Sequence, residues 1–114
     1  MMSFDDITVR SLPMGRDLLI MVTGGEAHIG AASTAYYEDQ ELQVQTSIVP
    51  GHKEHTLSVE MARQAAKVLK RTVTLVMGIH YDNLTKEEIM KVSEIAESKF
   101  KDHLEQLTSE VSQQ

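Results

Sequence analysis

Histidine and glycine concentrate in three short stretches whose residue types suit the binding of a metal ion or an anion. These are residues 24–30 (GGEAHIG), 50–56 (PGHKEHT) and 78–83 (GIHYDN). They contain four of the five histidines, namely His28, His52, His55 and His80. Imidazole is a preferred ligand of zinc and related transition metals, whereas lysine and glycine-rich backbone amides attract phosphate. The stretches predict one binding site if the fold brings them together.

Composition narrows the class of protein before any element is assigned. A chain of 114 residues is long enough for one hydrophobic core, so we expect a single domain over residues 1–114, with 1–6 and 108–114 loose. The absence of cysteine and of a bilayer-length apolar run leads us to expect a soluble, cytoplasmic protein. A net charge of −6 without a basic cluster argues against nucleic acid as a partner.

Hydrophobic periodicity predicts five strands. Alternating apolar residues indicate a half-buried strand over residues 7–10, which a proline-glycine turn at 12–15 should end. The continuous apolar run 18–23 is typical of a central strand covered on both faces, and we expect it to form a hairpin with a strand over 26–37. Residues 42–49 alternate again, and a last strand is predicted over 71–79. The small side chains of residues 30–33 allow another backbone or a ligand to approach closely.

Two helices complete the pattern. Apolar residues at four-residue steps predict a helix over residues 56–70. Thr85 and Glu88 form a capping box at the start of the second helix, and Leu84 and Ile89 occupy the positions of a hydrophobic staple. The order ββββαβα predicts an α+β fold, a mainly antiparallel sheet of about five strands with both helices on one face.

Strand direction brings the three stretches to one end of the sheet. If the strand before Gly24 runs upward, the strand that ends at Pro50 and the strand that ends at His80 also run upward. Both helices then start at the same end, where their free N–H groups and positive dipole ends favour an anion. We call this end the rim.

The rim supplies two sets of candidate residues. The metal candidates are His28, His52, His55 and His80, and the candidates for cofactor or phosphate binding are Gly24, Gly25, Glu26, Lys53, Thr56 and Tyr81. Each taken singly also has a structural interpretation, as a helix cap, a turn glycine or a solvated side chain. His103 lies on the polar side of the last helix, where we expect no function. Ser33, Ser58 and Thr56 lack a nucleophile signature, so we assign no catalytic residue.

The three stretches resemble those of the LpdD-like prenylated-flavin chaperone family, from about Val9 to about Glu94. This resemblance implies a cytoplasmic, metal-dependent homodimer that receives prenylated FMN made by a flavin prenyltransferase, with FMN as the alternative bound ligand. Such a protein would hold the flavin during oxidative maturation and pass it to a UbiD-type decarboxylase. It also implies a shape like the small proteasome-assembly chaperones, which concerns fold and not activity.

Two other functions stay open on the residues alone. A small metal-dependent hydrolase would use the same histidines with Glu54 or Glu26 as the base. An assembly or interaction protein without a ligand would use the histidines only as caps. The identity of the metal, a divalent transition ion, does not follow from the sequence.

Overall fold

The structure is a computed structural model that describes residues 3–51 and 55–112, with side chains as far as residue 109. Its elements follow the predicted order. They are β1 (Thr8–Met14), β2 (Asp17–Gly25), β3 (Ala31–Glu38), β4 (Glu41–Ile48), α1 (His55–Leu69), β5 (Val73–His80) and α2 (Lys86–Ser112). None of the described helices is long and apolar enough to cross a membrane.

The five strands form one mostly antiparallel sheet in the order β1-β2-β5-β3-β4. β5 runs parallel to β2 and antiparallel to β3, and it lies between them. Both helices contribute to the core that covers one face of this sheet. The predicted α+β class, with its mainly antiparallel sheet and two helices, is confirmed.

The predicted hairpin between β2 and β3 is wrong. β2 continues to pair with β5 up to Gly25 opposite His80, and β3 pairs with the other edge of β5. The chain therefore crosses over the end of β5 through residues 26–30, which are not in a strand. A parallel partner that arrives fifty residues later cannot be inferred from the local glycine pair, which suits a tight turn equally well.

The predicted turn at residues 12–15 is also wrong, because β1 continues to Met14. The hairpin to β2 is instead made by Gly15 and Arg16, with Gly15 at a φ of +61°. Pro13 is tolerated within β1 because β1 is an edge strand, where one side of the backbone needs no ladder partner.

Burial alternates along β5 as predicted, and it also alternates along β2, for which a strand covered on both faces was predicted. Inward residues of β2 and β5, among them Ile20, Val22, Leu75 and Met77, are fully buried. The helices contribute Met61, Ala62, Ala65 and Ala66 from α1 and Val92, Ala96, Phe100 and Leu104 from α2. The opposite face of the sheet carries no helix, so the expected cover on both faces of β2 is absent from the described chain. Leu19 and Met21 are consequently only partly buried.

The N-terminal segment is packed against α2 from Phe4 onward. Phe4 is only 3% exposed, and Lys99 donates hydrogen bonds to the carbonyl oxygens of Asp5 and Ile7. His103 is half-buried and hydrogen-bonds Ser11 on β1 at 2.9 Å, which joins α2 to the sheet edge.

Two buried serines fix α1 on the sheet. Ser33 on β3 and Ser58 on α1 are both 0% exposed, and their hydroxyl oxygens are 2.8 Å apart. Ser33 also bonds the hydroxyl of Thr46 at 2.9 Å, and Ser58 donates to the carbonyl of His55 at 3.1 Å. The small residues of β3 therefore admit the helix closely, as predicted, and the hydroxyl network satisfies the polar groups that this approach buries.

Replacing Ser58 by alanine should lower the free energy of unfolding by about 1 to 2 kcal/mol, because Ser33 loses one of its partners in a buried site. Ser98→Ala on the exposed side of α2 is the matched control, since it makes the same change of helix propensity without a buried hydrogen bond. Chemical denaturation measures both. Equal stability of the two variants would contradict the role of the serine pair.

Candidate functional site

The rim forms as predicted, although through a different strand order. β2 and β5 both end there, opposite one another at Gly25 and His80, and the amide of Glu26 donates to the carbonyl of His80 at 2.9 Å. β3 begins there, since Ala31 pairs with Met77, and β4 finishes there opposite Ala31. α1 and α2 start at the same end, because each follows a strand that runs toward it.

Gly78 allows the crossing loop to lie directly on β5. A Cβ atom at Gly78 would be 1.6 Å from the carbonyl oxygen of His28, so any side chain there would displace the loop. This close approach brings the rings of His28 and His80 to a centroid separation of 6.2 Å. Because neighbouring residues of a strand alternate between faces, Gly78 and His80 point to the helix-free side of the sheet.

The hydrogen bonds of His28 and His80 orient both rings. The Nδ1 of His28 lies 3.1 Å from the carbonyl oxygen of Glu26, which can only accept, so Nδ1 carries the proton. The Nε2 of His80 lies 2.9 Å from the Asp82 carboxylate and donates to it. A neutral ring then has its lone pair on the other nitrogen, which is the arrangement common to metal-binding histidines.

Of the other two histidine candidates, only His55 lies within the described residues. His55 begins α1, and its buried Nδ1 has no hydrogen-bond partner among the described residues. His52, Lys53 and Glu54 lie outside the described residues. Within the described chain, no group of three or more His, Asp or Glu side chains is arranged to hold a metal ion.

The glycine pair is packed by the N-terminal segment. A Cβ on Gly24 would be 2.8 Å from Ile7, and one on Gly25 would be 2.1 Å from the carbonyl of His80. The Gly25 amide donates to Asp6 at 2.8 Å, and the Tyr81 hydroxyl donates to the same carboxylate at 2.5 Å. Asp6 therefore joins the ends of β2 and β5, while the Tyr81 ring packs edge-on against Phe4.

These contacts change the acidity of both groups. The hydrogen bond from Tyr81 is the main reason why the pKa of Asp6 lies below its ordinary value. Burial, followed by the bond to Asp6, raises the pKa of Tyr81 above its ordinary value. At neutral pH Tyr81 is thus a protonated donor that bonds an ionised carboxylate.

The starts of α1 and α2 differ in how strongly they favour a bound anion. At α2 the capping box is confirmed: the Thr85 amide donates to Glu88 at 3.0 Å and the Glu88 amide donates to the Thr85 hydroxyl at 3.1 Å. Glu87 and Glu88 also place carboxylates in the first turn of α2. The first turn of α1 contains no acidic residue, and Thr56 is exposed there. Of the two, α1 is the helix start that favours an anion.

An apolar cavity of about 270 Å³ opens beneath the rim on the helix face of the sheet. Its lining comes from the ends of β5, α1 and α2, and most of it is aliphatic. The lining residues are Gly51, Leu57, Met77, Ile79, His80, Tyr81, Leu84, Ile89, Val92, Ser93 and Ala96. The volume is slightly below that of common small-molecule pockets and matches a ring system better than a whole nucleotide.

Neither the contribution of α2 to this cavity nor the role of Asp6 was predicted from the sequence. Leu84 and Ile89 were identified only as a staple, although both border the cavity. The exposure of Ile89, at 52%, is the feature that distinguishes a cavity wall from a core position, and periodicity does not report it. Asp6 has no local signal, because both of its partners are distant in sequence.

The fold and the rim define a small α+β protein with a histidine-bearing edge above an apolar cavity. The model of the family described as "Prenylated flavin chaperone LpdD-like domain" matches residues 4–108. Protein LpdD of Lactiplantibacillus plantarum is 35% identical over 79 residues, which cover 67% of this chain and 58% of that protein. The chain belongs to the LpdD-like prenylated flavin chaperone family, as its motifs indicated.

Family membership supports a chaperone role in the handling of prenylated flavin. The chain spans only 58% of the length of the curated relative. The ligand contacts, the metal and the partners of this chain therefore have to be argued from its own residues.

The Asp6 anchor should depend on pH. Because the pKa of Asp6 is lowered in the folded state, the anchor is complete above the ordinary carboxyl pKa of about 3.9 and weakens as the pH falls below it. Hydrogen exchange of the Gly25 amide should accelerate in that acid range relative to other β2 amides. Asp6→Asn should accelerate it roughly three- to tenfold at neutral pH, whereas Asp5→Asn should not. Unchanged exchange in Asp6→Asn would contradict the anchor.

Proposed function

We propose that this chain is a cytoplasmic carrier that binds prenylated FMN at the rim, holds it during oxidative maturation and delivers it to a UbiD-type decarboxylase. The observation that carries the proposal is the apolar cavity next to His80 and Tyr81, together with membership of a prenylated flavin chaperone family. The flavin is cargo in this role, and the chain needs no catalytic residue.

The cavity fits the ring end of such a ligand. Leu57, Ile79 and Val92 provide aliphatic walls, and Ser93 adds one hydroxyl. The extra ring of a prenylated flavin is aliphatic on its edge, so its burial against these walls is favourable by roughly 0.8 kcal/mol per methylene. Tyr81 is held in place by Asp6 and Phe4, so it can form one wall of the site for the flavin ring without changing its position.

The phosphate end of the ligand is assigned to the start of α1. Thr56 and the first backbone amides of α1 lie at the rim with no carboxylate in that turn, and Lys53 precedes them in sequence. Gly24, Gly25 and Glu26, the other candidates, lie at the end of β2, whereas α1 packs on β3, β4 and β5. Since the Gly25 amide is already bonded to Asp6, the role of the glycine pair is to let β2 pass close to Ile7 and Tyr81.

A divalent transition metal is assigned to His28 and His80, with His52 and His55 as the other candidates. The two rings are oriented by Glu26 and Asp82, and their centroids are 6.2 Å apart, so the rings would have to approach each other by roughly 1 Å to share one tetrahedral ion. Such an ion would lie at the rim on the helix-free side of the sheet, where it would offer the ligand phosphate a second anchoring point as an alternative to the start of α1.

A homodimer formed through the helix-free face of the sheet would explain why that face carries apolar side chains. Leu12 and Met14 on β1 are 54% and 67% exposed, and Leu19, Met21 and Val76 are only partly buried on the same face. Apolar residues that are continuous across three strands favour a protein partner over solvent. His80 points to this face, so a second copy would lie close to the metal candidates.

The rim also offers a surface for transfer to a decarboxylase. Five large apolar side chains around the rim are strongly exposed: Ile29, Ile48, Val49, Ile89 and Met90. Transient partners use such apolar patches, and a partner seated here would cover the mouth of the cavity.

Two serines that could be considered as nucleophiles are inaccessible, which leaves the metal-dependent hydrolase as the enzyme alternative. Ser33 and Ser58 are fully buried and bonded to each other, so neither hydroxyl can reach a substrate. A hydrolase would then depend on a metal-bound water with Glu26 or Glu54 as its base. Turnover of many equivalents of a substrate would favour the hydrolase over the carrier. Absence of flavin, metal and turnover together would favour the interaction protein.

Co-expression with a flavin prenyltransferase, followed by anaerobic purification, tests the carrier directly. The wild-type protein should carry prenylated FMN in its absorbance spectrum and in the mass of the released ligand. Ser93→Phe should fill the cavity and weaken binding by roughly 5- to 100-fold. Ser98→Phe, on the exposed side of the same helix, should bind normally. A wild-type protein without any flavin would overturn the proposal.

Metal analysis tests the histidine assignment separately. His28→Ala and His80→Ala should each lose bound metal, whereas His103→Gln should retain it because His103 lies on α2 beside Ser11. Asp82→Asn should lower metal affinity by roughly tenfold or more, since it removes the carboxylate that orients His80. Elemental analysis after dialysis against a defined metal buffer is the measurement. Identical metal content in all four variants would remove the metal from the proposal.

A further inference from the structure

A second groove lies at the opposite end of the sheet, where β2 and β5 begin. It has a volume of about 460 Å³ and is bordered by Arg16, Lys70 and Arg71, with Tyr37 and Leu69 between them. β2 spans nine residues from this end to the rim, so the two sites are roughly 26 Å apart. We call it the basal groove.

The basal groove has an excess of positive charge that the described chain does not neutralise. Three cations and one carboxylate, Asp17, border it. None of the three cations forms an ion pair with a described carboxylate, since the side-chain pairs found are those of Arg63 with Glu60 and of His80 with Asp82. The whole chain is acidic, with 17 Asp and Glu against 11 Lys and Arg. The groove is thus locally positive on a protein whose net charge is negative.

The end of α1 explains only part of this charge. Cations near a helix C-terminus are stabilised by its dipole, which suits Lys70 and Arg71. Arg16, however, comes from the turn between β1 and β2 and does not belong to that helix. Its presence in the groove extends the positive surface beyond the reach of the helix end.

Lys70 also occupies a backbone position that favours glycine. Its φ is +54°, and its amide caps α1 by donating to the carbonyl of Ala66 at 2.8 Å. Glycine adopts this conformation at a helix end without steric cost, whereas lysine does not. The lysine side chain forms no hydrogen bond or ion pair within the described chain that would offset the cost.

We propose that the basal groove is a docking site for an extended acidic segment of a partner protein. Arg16 and Lys70 are exposed and Arg71 is partly exposed, and the three come from two separate connections. Such a spread of cations suits several carboxylates along a peptide better than one small anion, because a small anion is usually held by buried donors that converge on it. Leu69 and Tyr37, the latter 44% exposed, offer apolar contacts to the stems of such side chains. A partner bound here leaves the rim open.

The test uses a fluorescein-labelled peptide of alternating Glu and Ser, with the Gln-for-Glu peptide as its control. The wild-type protein should bind the acidic peptide in fluorescence polarisation, more weakly as salt rises, and should not bind the Gln peptide. Lys70→Gly combined with Arg71→Gln should weaken binding roughly tenfold. Lys67→Gln, an exposed lysine of α1 outside the groove, should change it little.

Lys70→Gly should not lower the thermal midpoint, because glycine suits the positive φ, so loss of binding cannot be attributed to unfolding. Four results would overturn the proposal. These are no binding to the wild-type protein, equal weakening by Lys67→Gln, full displacement by millimolar inorganic phosphate, and self-association that the double variant abolishes. Phosphate displacement would instead indicate a small-anion site, and the self-association result a contact between copies of this chain.

Discussion

The insertion of β5 between β2 and β3 is the constraint on which the rim depends. It requires the chain to leave β2 at Gly25, pass over β5 and start β3 on its far side. The crossing is short, so the backbone of His28 lies against Gly78, where no side chain would fit. The same crossing sets His28 beside His80 and lets the Glu26 amide bond the His80 carbonyl. A long-range strand pairing thus creates the contact between two histidines that are far apart in sequence.

This constraint also explains why the rim could be predicted although the strand order could not. β3 runs opposite to β2 whether it pairs with β2 directly or with the intervening parallel strand. The ends at which Gly24, Pro50 and His80 lie are therefore the same in both topologies. Neighbouring strands in sequence are paired in about two-thirds of cases, so a local hairpin is the natural expectation from Gly24-Gly25. β2 and β3 are separated only because β5, which comes later in the chain, pairs with both of them.

The features that could not be predicted from the sequence depend on contacts between residues far apart in the chain or on how deeply a side chain is buried. The capping box of α2 is local, and both of its hydrogen bonds are present. The anchor at Asp6 is not local, since its partners are Gly25 and Tyr81. Likewise, the apolar stripe of α2 contains core residues such as Ala96 and the exposed Ile89, and periodicity does not separate a filled core from a cavity.

α1 relates the two ends of the molecule to each other. Its position is set by Ser58 against Ser33, a contact in which any larger side chain on either element would push the helix from the sheet. With the helix so fixed, its first turn, free of carboxylates, faces the rim, and its other end, at Leu69 and Lys70, borders the basal groove. The helix dipole reinforces a positive potential at the first end and is offset by the cations at the second. Anion-favouring surfaces therefore occur at both ends of one helix for different physical reasons, backbone amides at the rim and side-chain charge at the groove.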